Sequence, residues 1–299
     1  MKILVWFVSN DGRFFNAAMT ILARQNGGLG IVGCTAVAPV QLQFGDKNVD
    51  FIPLDKVAAQ DFDVLLVVGA KQVGMSDVVK AARRINLPEE KLLGDWIVCV
   101  PGFTLDKYRK LQRSRLSIFS RNCFGGLISN MLGLQFRSPT VNMFFIENEF
   151  VRFLRALRVY MEETPIFKEF AWEQNLKRDY PVVTLGNVEI HMNHYRDFDE
   201  AVKIWNRRKA RINWYNLFVT ICTEDEETLR EFDALPFGKK VCFVPFKSDL
   251  DSAWYINPDV DKGATTFTNR INRFGSGVIF YYDPFDMLLY GKKTSLIEM

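Results

Sequence analysis

The stretch EIHMNHY, residues 189 to 195, holds both histidines of a 299-residue chain. Imidazole changes charge near neutral pH, so these two positions are the first candidates for proton transfer. On a strand alternate residues share a face, which puts Asn187, Glu189, His191 and Asn193 on one side and Val188, Ile190 and Met192 on the other. The bases of Glu189 and His191 would then stand about 7 Å apart, near enough to share a substrate or a water. His191 is the candidate catalytic acid or base, with Glu189 orienting it. The competing role is structural, with both groups satisfying buried polar neighbours and bracing the next turn. A strand continued to His194 would give that residue the apolar parity, so the two imidazoles could not share a metal. ExHxxH here also lacks the helical setting of a zinc-protease motif, and no metal is expected.

A second constellation is SIFSRNCFGGLISNMLG, in which a buried strand delivers Ser120, Asn122, Cys123, Gly125 and Gly126 into a strand-to-helix turn. Free amides and the helix dipole at such a turn favour an anionic oxygen, so these five residues are candidate ligand contacts. The same field would activate Cys123 as a nucleophile with a histidine as base. Equally, Asn122 caps the helix, the glycines allow close packing, and Cys123 is a small buried residue. A third group, Arg207, Arg208 and Arg211 at the end of a helix, would clamp a phosphate or acidic sugar, or else complement the helix C-terminus.

Stepping from these residues to the elements that must hold them, KILVWFVS, IVGCTAVA, DVLLVVGA and WIVCV read as strands alternating with helices at FFNAAMTILARQN and MSDVVKAARRIN. After a basic connector, the alternation restarts with strands at RLSIFS, TVNMFFI, PVVTLGNVEIHMN, NLFVTIC and KKVCFVPF. Helices between them are ENEFVRFLRALRVYMEE, DFDEAVKIWNRRKARI and DEETLREFDAL. Aromatic strands are expected late, at GVIFYYD and MLLYG. The pattern predicts an α/β protein with two Rossmann-like three-layer α/β/α domains and mostly parallel sheets. The boundaries are residues 1–102 for the first domain, 103–115 for the connector, 116–246 for the second domain and 247–299 for a C-terminal extension. The first strand-helix turn, VWFVSNDGRFF, keeps only Gly12 of the three glycines of a dinucleotide fingerprint, and no acid follows the second strand, so NAD is not expected.

Composition narrows the classes. With 26 phenylalanines and 48% hydrophobic residues the chain can build a large core. A net charge of +3 without a concentrated basic face gives no case for nucleic acid. No apolar run is long enough to span a bilayer. Five cysteines, widely separated and odd in number, fit neither a disulfide framework nor a zinc pattern, and point to a reducing cytoplasm.

Ser120 to Gly126, Asn187 to Tyr195 and Trp205 to Asn213 together resemble an uncharacterised bacterial family, a domain of unknown function whose members are often labelled exopolysaccharide or capsule biosynthesis proteins. The resemblance covers about residues 115–246. The family pattern has an S-N-N-C-W-G-G turn, a D-I-E-I-H-F-x-H-Y strand and a W-x-R-R-x-x-R-I-N helix end. This chain departs from it with Arg121, Phe124 and Asn187. The resemblance implies a link to cell-surface polysaccharide assembly and little about chemistry; the first expectation is an enzyme of that assembly, a glycosyl- or sugar-modifying transferase acting on a nucleotide-sugar or glycan. The alternative is a non-catalytic glycan- or protein-binding assembly module, with the aromatic C-terminal region forming a homodimer interface. No particular cofactor is implied.

Overall fold

The apolar runs KILVWF and VLLVV are too short for helices and rich in branched residues, and they lie side by side at the centre of a parallel sheet. A computed structural model describes residues 1–44, 46–174 and 177–297. It contains two compact units: Met1–Gln112 with Asn130–Leu134, and Arg113–Ser129 with Gln135–Met299.

In the first unit, β1 (Lys2–Phe7), α1 (Phe15–Asn26), β2 (Gly30–Ala36), the hairpin β3 (Leu42–Phe44) and β4 (Lys47–Val49), and β5 (Val64–Val68) are followed by α2 (Ala70–Val73), α3 (Met75–Arg84), β6 (Leu92–Gly94), α4 (Asp95–Val98) and α5 (Leu105–Arg113). The parallel strands run in the order β2-β1-β5-β6. Helix α1 ends at Gly27, left-handed with φ 65°, as the Gly-Gly signal predicts. The WIVCV run is not the fourth strand. Buried Asp95 accepts hydrogen bonds from the amides of Trp96 (2.8 Å) and Gly69 (3.2 Å), and this side-chain acceptor starts a helix inside a run with strand composition. The basic stretch 103–115 is likewise an ordered helix over most of its length: Thr104 Oγ1 accepts from Lys107 N, and Tyr108 and Leu111 are buried three residues apart.

In the second unit, β7 (Ser117–Ser120), α6 (Phe124–Met131), α7 (Glu147–Arg155), α8 (Leu157–Glu162), β8 (Ile166–Glu173), β9 (Arg178–Leu185), β10 (Val188–His191) and α9 (Phe198–Lys209) come first. They are followed by β11 (Leu217–Cys222), α10 (Glu226–Asp233), β12 (Lys240–Val244), β13 (Ala253–Tyr255), α11 (Phe267–Gly275) and α12 (Pro284–Tyr290). Strands β13-β12-β11-β7 form a parallel sheet, whereas β10-β9-β8 are antiparallel. The mixed α/β character is as expected; the antiparallel sheet is not. PVVTLGNVEIHMN, read as one strand, is a hairpin that turns at Gly186 (φ 60°) and Asn187, with Val188 opposite Leu185.

Three further expectations are corrected. TVNMFFI makes one antiparallel bridge, Phe144 to His191, while the Phe145 amide donates to the Arg121 carbonyl. The ENEFVRFLRALRVYMEE helix breaks at Ala156 (φ −126°), dividing α7 from α8. The late aromatic segments are not extended strands. Asp283 caps α12 through the amides of Phe285 and Asp286 with Pro284 at the first helical position, a start signal that outweighs the aromatic run's strand preference, and Tyr282 makes only an isolated bridge to Ser295.

Strand β8 has a register shift between Phe167 and Glu169, which brings Phe167 and Phe170 to one face with ring centroids 5.0 Å apart. The core of this unit is aromatic. Phe153 is fully buried, with ring centroids 5.0 Å from Phe145, 5.7 Å from Tyr160, 6.0 Å from Phe150 and 6.3 Å from Phe119. Removing that ring leaves a cavity that its neighbours can close only in part, so Phe153→Ala is expected to lower unfolding free energy by about 3–5 kcal/mol in urea titration.

Candidate functional site

The chemistry gathers where β7 gives way to α6. Ser120 Oγ donates to the Asn122 carbonyl (2.7 Å) and accepts from the Gly125 amide (2.9 Å), closing the turn from within. Asn122 Oδ1 accepts from the Phe124 amide at 3.1 Å, and its Nδ2 reaches Cys222 Sγ at 3.4 Å. Two amides of the first helical turn are therefore taken by the protein's own oxygens. Gly125 and Gly126 serve close approach: a Cβ on Gly125 would lie 2.6 Å from Ser120 Oγ, and one on Gly126 3.0 Å from Val141 Cγ1. Of the turn residues expected to contact a ligand, Ser120 and Asn122 are buried and build the turn, while Cys123 is half-buried.

Successive side chains of this turn go to different places. Arg121 lines a cleft of about 390 Å³ that also includes Glu147, Thr223, Asp225, Thr266 and Thr268. The cleft lies where β11 ends and where α7, α10 and α11 begin, and the carboxyl ends of parallel strands are the usual ligand position in α/β sheets. Arg121 donates to Thr268 Oγ1 at 3.3 Å and stands 3.4 Å from Glu147 Oε1, while its buried Nε has no hydrogen-bond partner. Thr223 donates to Glu147 (2.6 Å), and Asp225 caps α10 through the Thr228 amide (2.7 Å). Three carboxylates (Glu147, Glu224 and Asp225), three threonine hydroxyls and one guanidinium thus line the opening, together with Cys222 and Phe267.

Cys123 points elsewhere. Its Sγ is 3.3 Å from His194 Nε2. Burial raises the thiol above its ordinary range, aided by the Glu173 charge. Surrounding protein lowers His194, with Arg178 acting the same way and Glu173 opposing. The pair therefore rests as neutral thiol and neutral imidazole. Strand parity does not place His194, which lies beyond the end of β10. Strand β10 ends at His191, and the turn that follows frees the second imidazole from strand alternation.

His191 occupies a different setting. Its ring stacks on Phe144 with centroids 4.3 Å apart, and Nδ1 is 3.1 Å from the Tyr180 hydroxyl. Glu189 Oε1 is 3.1 Å from Nε2 but out of line for a hydrogen bond, and Glu189 also pairs with Lys168. The expected neighbours Glu189 and His191 are thus together, apart from the residues that line the cleft. Nor does the cleft include the arginine group. Buried Arg208 donates to the Val141 carbonyl and to the Tyr195 hydroxyl, each at 2.7 Å, and so anchors the residue next to His194 from behind. Arg207 is exposed and Arg211 half-buried. Among the described residues no group of His, Cys, Asp and Glu is arranged to hold a metal, and no helix is long and apolar enough to cross a membrane.

These features define a mixed α/β protein with a polar cleft at strand ends and a thiol-imidazole pair at the adjoining turn. Residues 98–288, which include every residue of both, match the family described as Domain of unknown function (DUF1919), and the chain belongs to that family. A relative from Haemophilus influenzae bearing the name "Uncharacterized protein" is 33% identical over 190 residues, spanning 60% of this chain and 84% of the relative.

Ser120→Ala leaves a buried amide and a buried carbonyl without their shared hydroxyl, so a loss of about 1–3 kcal/mol is expected in chemical denaturation. Desolvation by the surrounding protein lowers His191, as it does the imidazole of His194 although that residue is exposed. On acidification the unfolded chain, with imidazoles near 6.5, binds protons before the folded one. The stability these residues contribute is present above about pH 6.5 and lost as pH falls towards the folded values. Melting temperature followed from about pH 7 to pH 5 should fall, and less steeply in His191→Gln.

Proposed function

We propose that this protein works in cell-surface polysaccharide assembly and recognises a nucleotide-sugar or glycan in the cleft at the ends of β7 and β11. One observation carries the reading: the lining combines acceptors (Glu147, Glu224, Asp225), two-way hydroxyls (Thr223, Thr266, Thr268) and a donor (Arg121), with Cys222 and Phe267 completing it. A polyol, each hydroxyl of which both gives and takes a hydrogen bond, is matched by such a lining better than an apolar ligand or a bare anion would be. Arg121 is the cation of this lining, facing three carboxylates, and its guanidinium can donate to a sugar or phosphoryl oxygen. In this reading Glu189 and His191 brace the hairpin beside Phe144, and any proton transfer belongs to His194.

The reading as a non-catalytic assembly module draws support from β8, where Phe167, Phe170 and Trp172 are exposed, the last two at 55% and 57%. Exposed aromatic rows of this kind mark contact surfaces for glycans or protein partners, a second copy included.

Isothermal calorimetry with a panel of uridine, cytidine and guanosine diphosphate sugars and simple glycosides tests the first reading. Saturable binding is expected, weakened about tenfold or more by Arg121→Lys, which keeps the charge and loses the fork. Silence across the panel from a folded protein removes it. If binding depends on Trp172 and ignores Arg121, the β8 reading prevails.

A further inference from the structure

The thiol of Cys123 and the imidazole of His194 come from turns 71 residues apart in sequence, yet Sγ and Nε2 meet at 3.3 Å. Neither group is needed by the local architecture. Asn122 and Ser120 already hold the turn, and the anchor behind the histidine turn is Arg208 on Tyr195. His194 is exposed and Cys123 half-buried beside it, so solvent-borne molecules reach the pair from the histidine side. The chain's second histidine is engaged with Phe144 and Tyr180. Of the other cysteines, Cys34, Cys222 and Cys242 are buried, and Cys99 lies against the Phe14 carbonyl.

Three chemistries use a thiol beside an imidazole. Metal binding needs further ligands, and among the described residues no such cluster exists. Disulfide exchange needs an accessible resolving thiol, and the cysteine closest to the turn, Cys222, is buried beneath Asn122. Nucleophilic attack needs only the pair itself: a base within reach of the thiol proton, and a thiol at the N-terminus of a helix where developing negative charge is favoured. Helix α6 begins at Phe124, immediately after Cys123.

We propose that Cys123 is an acyl-accepting nucleophile, with His194 as its general base, in transfer from an ester or thioester donor to a hydroxyl group. As Sγ attacks the donor carbonyl, His194 Nε2 takes the thiol proton; the S–C bond forms, the donor's C–O or C–S bond breaks, and the leaving group receives that proton. The acyl-enzyme is a thioester. An incoming hydroxyl then loses its proton to His194 while its oxygen bonds to the carbonyl carbon. Expulsion of the Cys123 thiolate follows, and it recovers the proton from His194. No electrons are exchanged with a third party. Glu173 on β8 and Arg178 on β9 are the charged groups facing the pair; Arg178 disfavours the imidazolium formed in each step and Glu173 favours it. That the acceptor is a sugar hydroxyl rests on the proposed function; acylation of the thiol does not.

The probe is p-nitrophenyl acetate, with nitrophenolate release followed optically and the acetyl group located by peptide mass mapping of the full chain. One acetyl on Cys123 is expected, lost in Cys123→Ala and retained in Cys99→Ala. His194→Ala should slow acylation about 100-fold or more. The wild-type rate should rise as His194 loses its proton below neutral pH and then level off, whereas in His194→Ala it should climb only with alkaline ionisation of the thiol. Labelling spread over other cysteines, or an unchanged rate and pH profile in His194→Ala or in the alternative variant His194→Asn, overturns the proposal. Accelerated deacetylation by methyl glycosides is expected. Acylation without that acceleration removes the sugar acceptor alone; sugar binding in the cleft without acylation of Cys123 removes the thiol chemistry alone.

Discussion

The hydroxyl of Ser120 holds the second unit's chemistry in place. By bonding the Asn122 carbonyl and the Gly125 amide at once, it folds four residues into a turn so tight that adjacent side chains are sent in different directions. Arg121 goes to the cleft, where it meets the Cys222 sulfur that Asn122 reaches from the buried side, and Cys123 goes to His194. The turn can be this tight because Gly125 has no Cβ to meet the same hydroxyl, and because the neighbouring strand accepts its backbone: Arg121 N donates to Thr220 O and Phe145 N to Arg121 O. A buried polar group that satisfies two partners is costly to lose and so rigidifies what it touches.

Much of the fold was legible because its signals are local. Parallel strands such as VLLVV and LFVTIC are short continuous apolar runs, and α9 and α10 announce themselves with Asp197 and Asp225, whose side chains take the Glu200 and Thr228 amides. The errors also have local causes. Asp95, in the middle of a strand-like composition, captures two amides and forces a helix. Gly186 and Asn187 make a two-residue hairpin turn within a segment whose hydrophobicity is continuous across it. Asp283-Pro284 opens a helix in an aromatic stretch. In each, one residue's hydrogen bonding or backbone angle outweighed the average preference of the surrounding run.

The candidate site was half legible for a different reason. The sequence marked the SRNCFGG turn and the histidine segment separately, but pairing them requires knowing where β10 stops. Parity assigned beyond the true end of the strand gives a face to residues whose direction a turn sets instead. His191, the last strand residue, is held among Phe144, Tyr180 and Glu189; His194, three residues on, is set by a turn and by the Arg208 anchor on Tyr195. The cleft was invisible for a stronger version of the same reason, since Arg121, Glu147, Thr223 and Thr268 come from four elements with no shared spacing.

The first compact unit reclaims Asn130–Leu134 after the chain has already entered the second. There is accordingly no single point at which the polypeptide divides into two independent cassettes. Recombination that carried off the second unit from residue 113 would take with it five residues that belong to the first, and would leave the first with a gap. The family match, which starts at residue 98, likewise begins inside the first unit and not at its boundary.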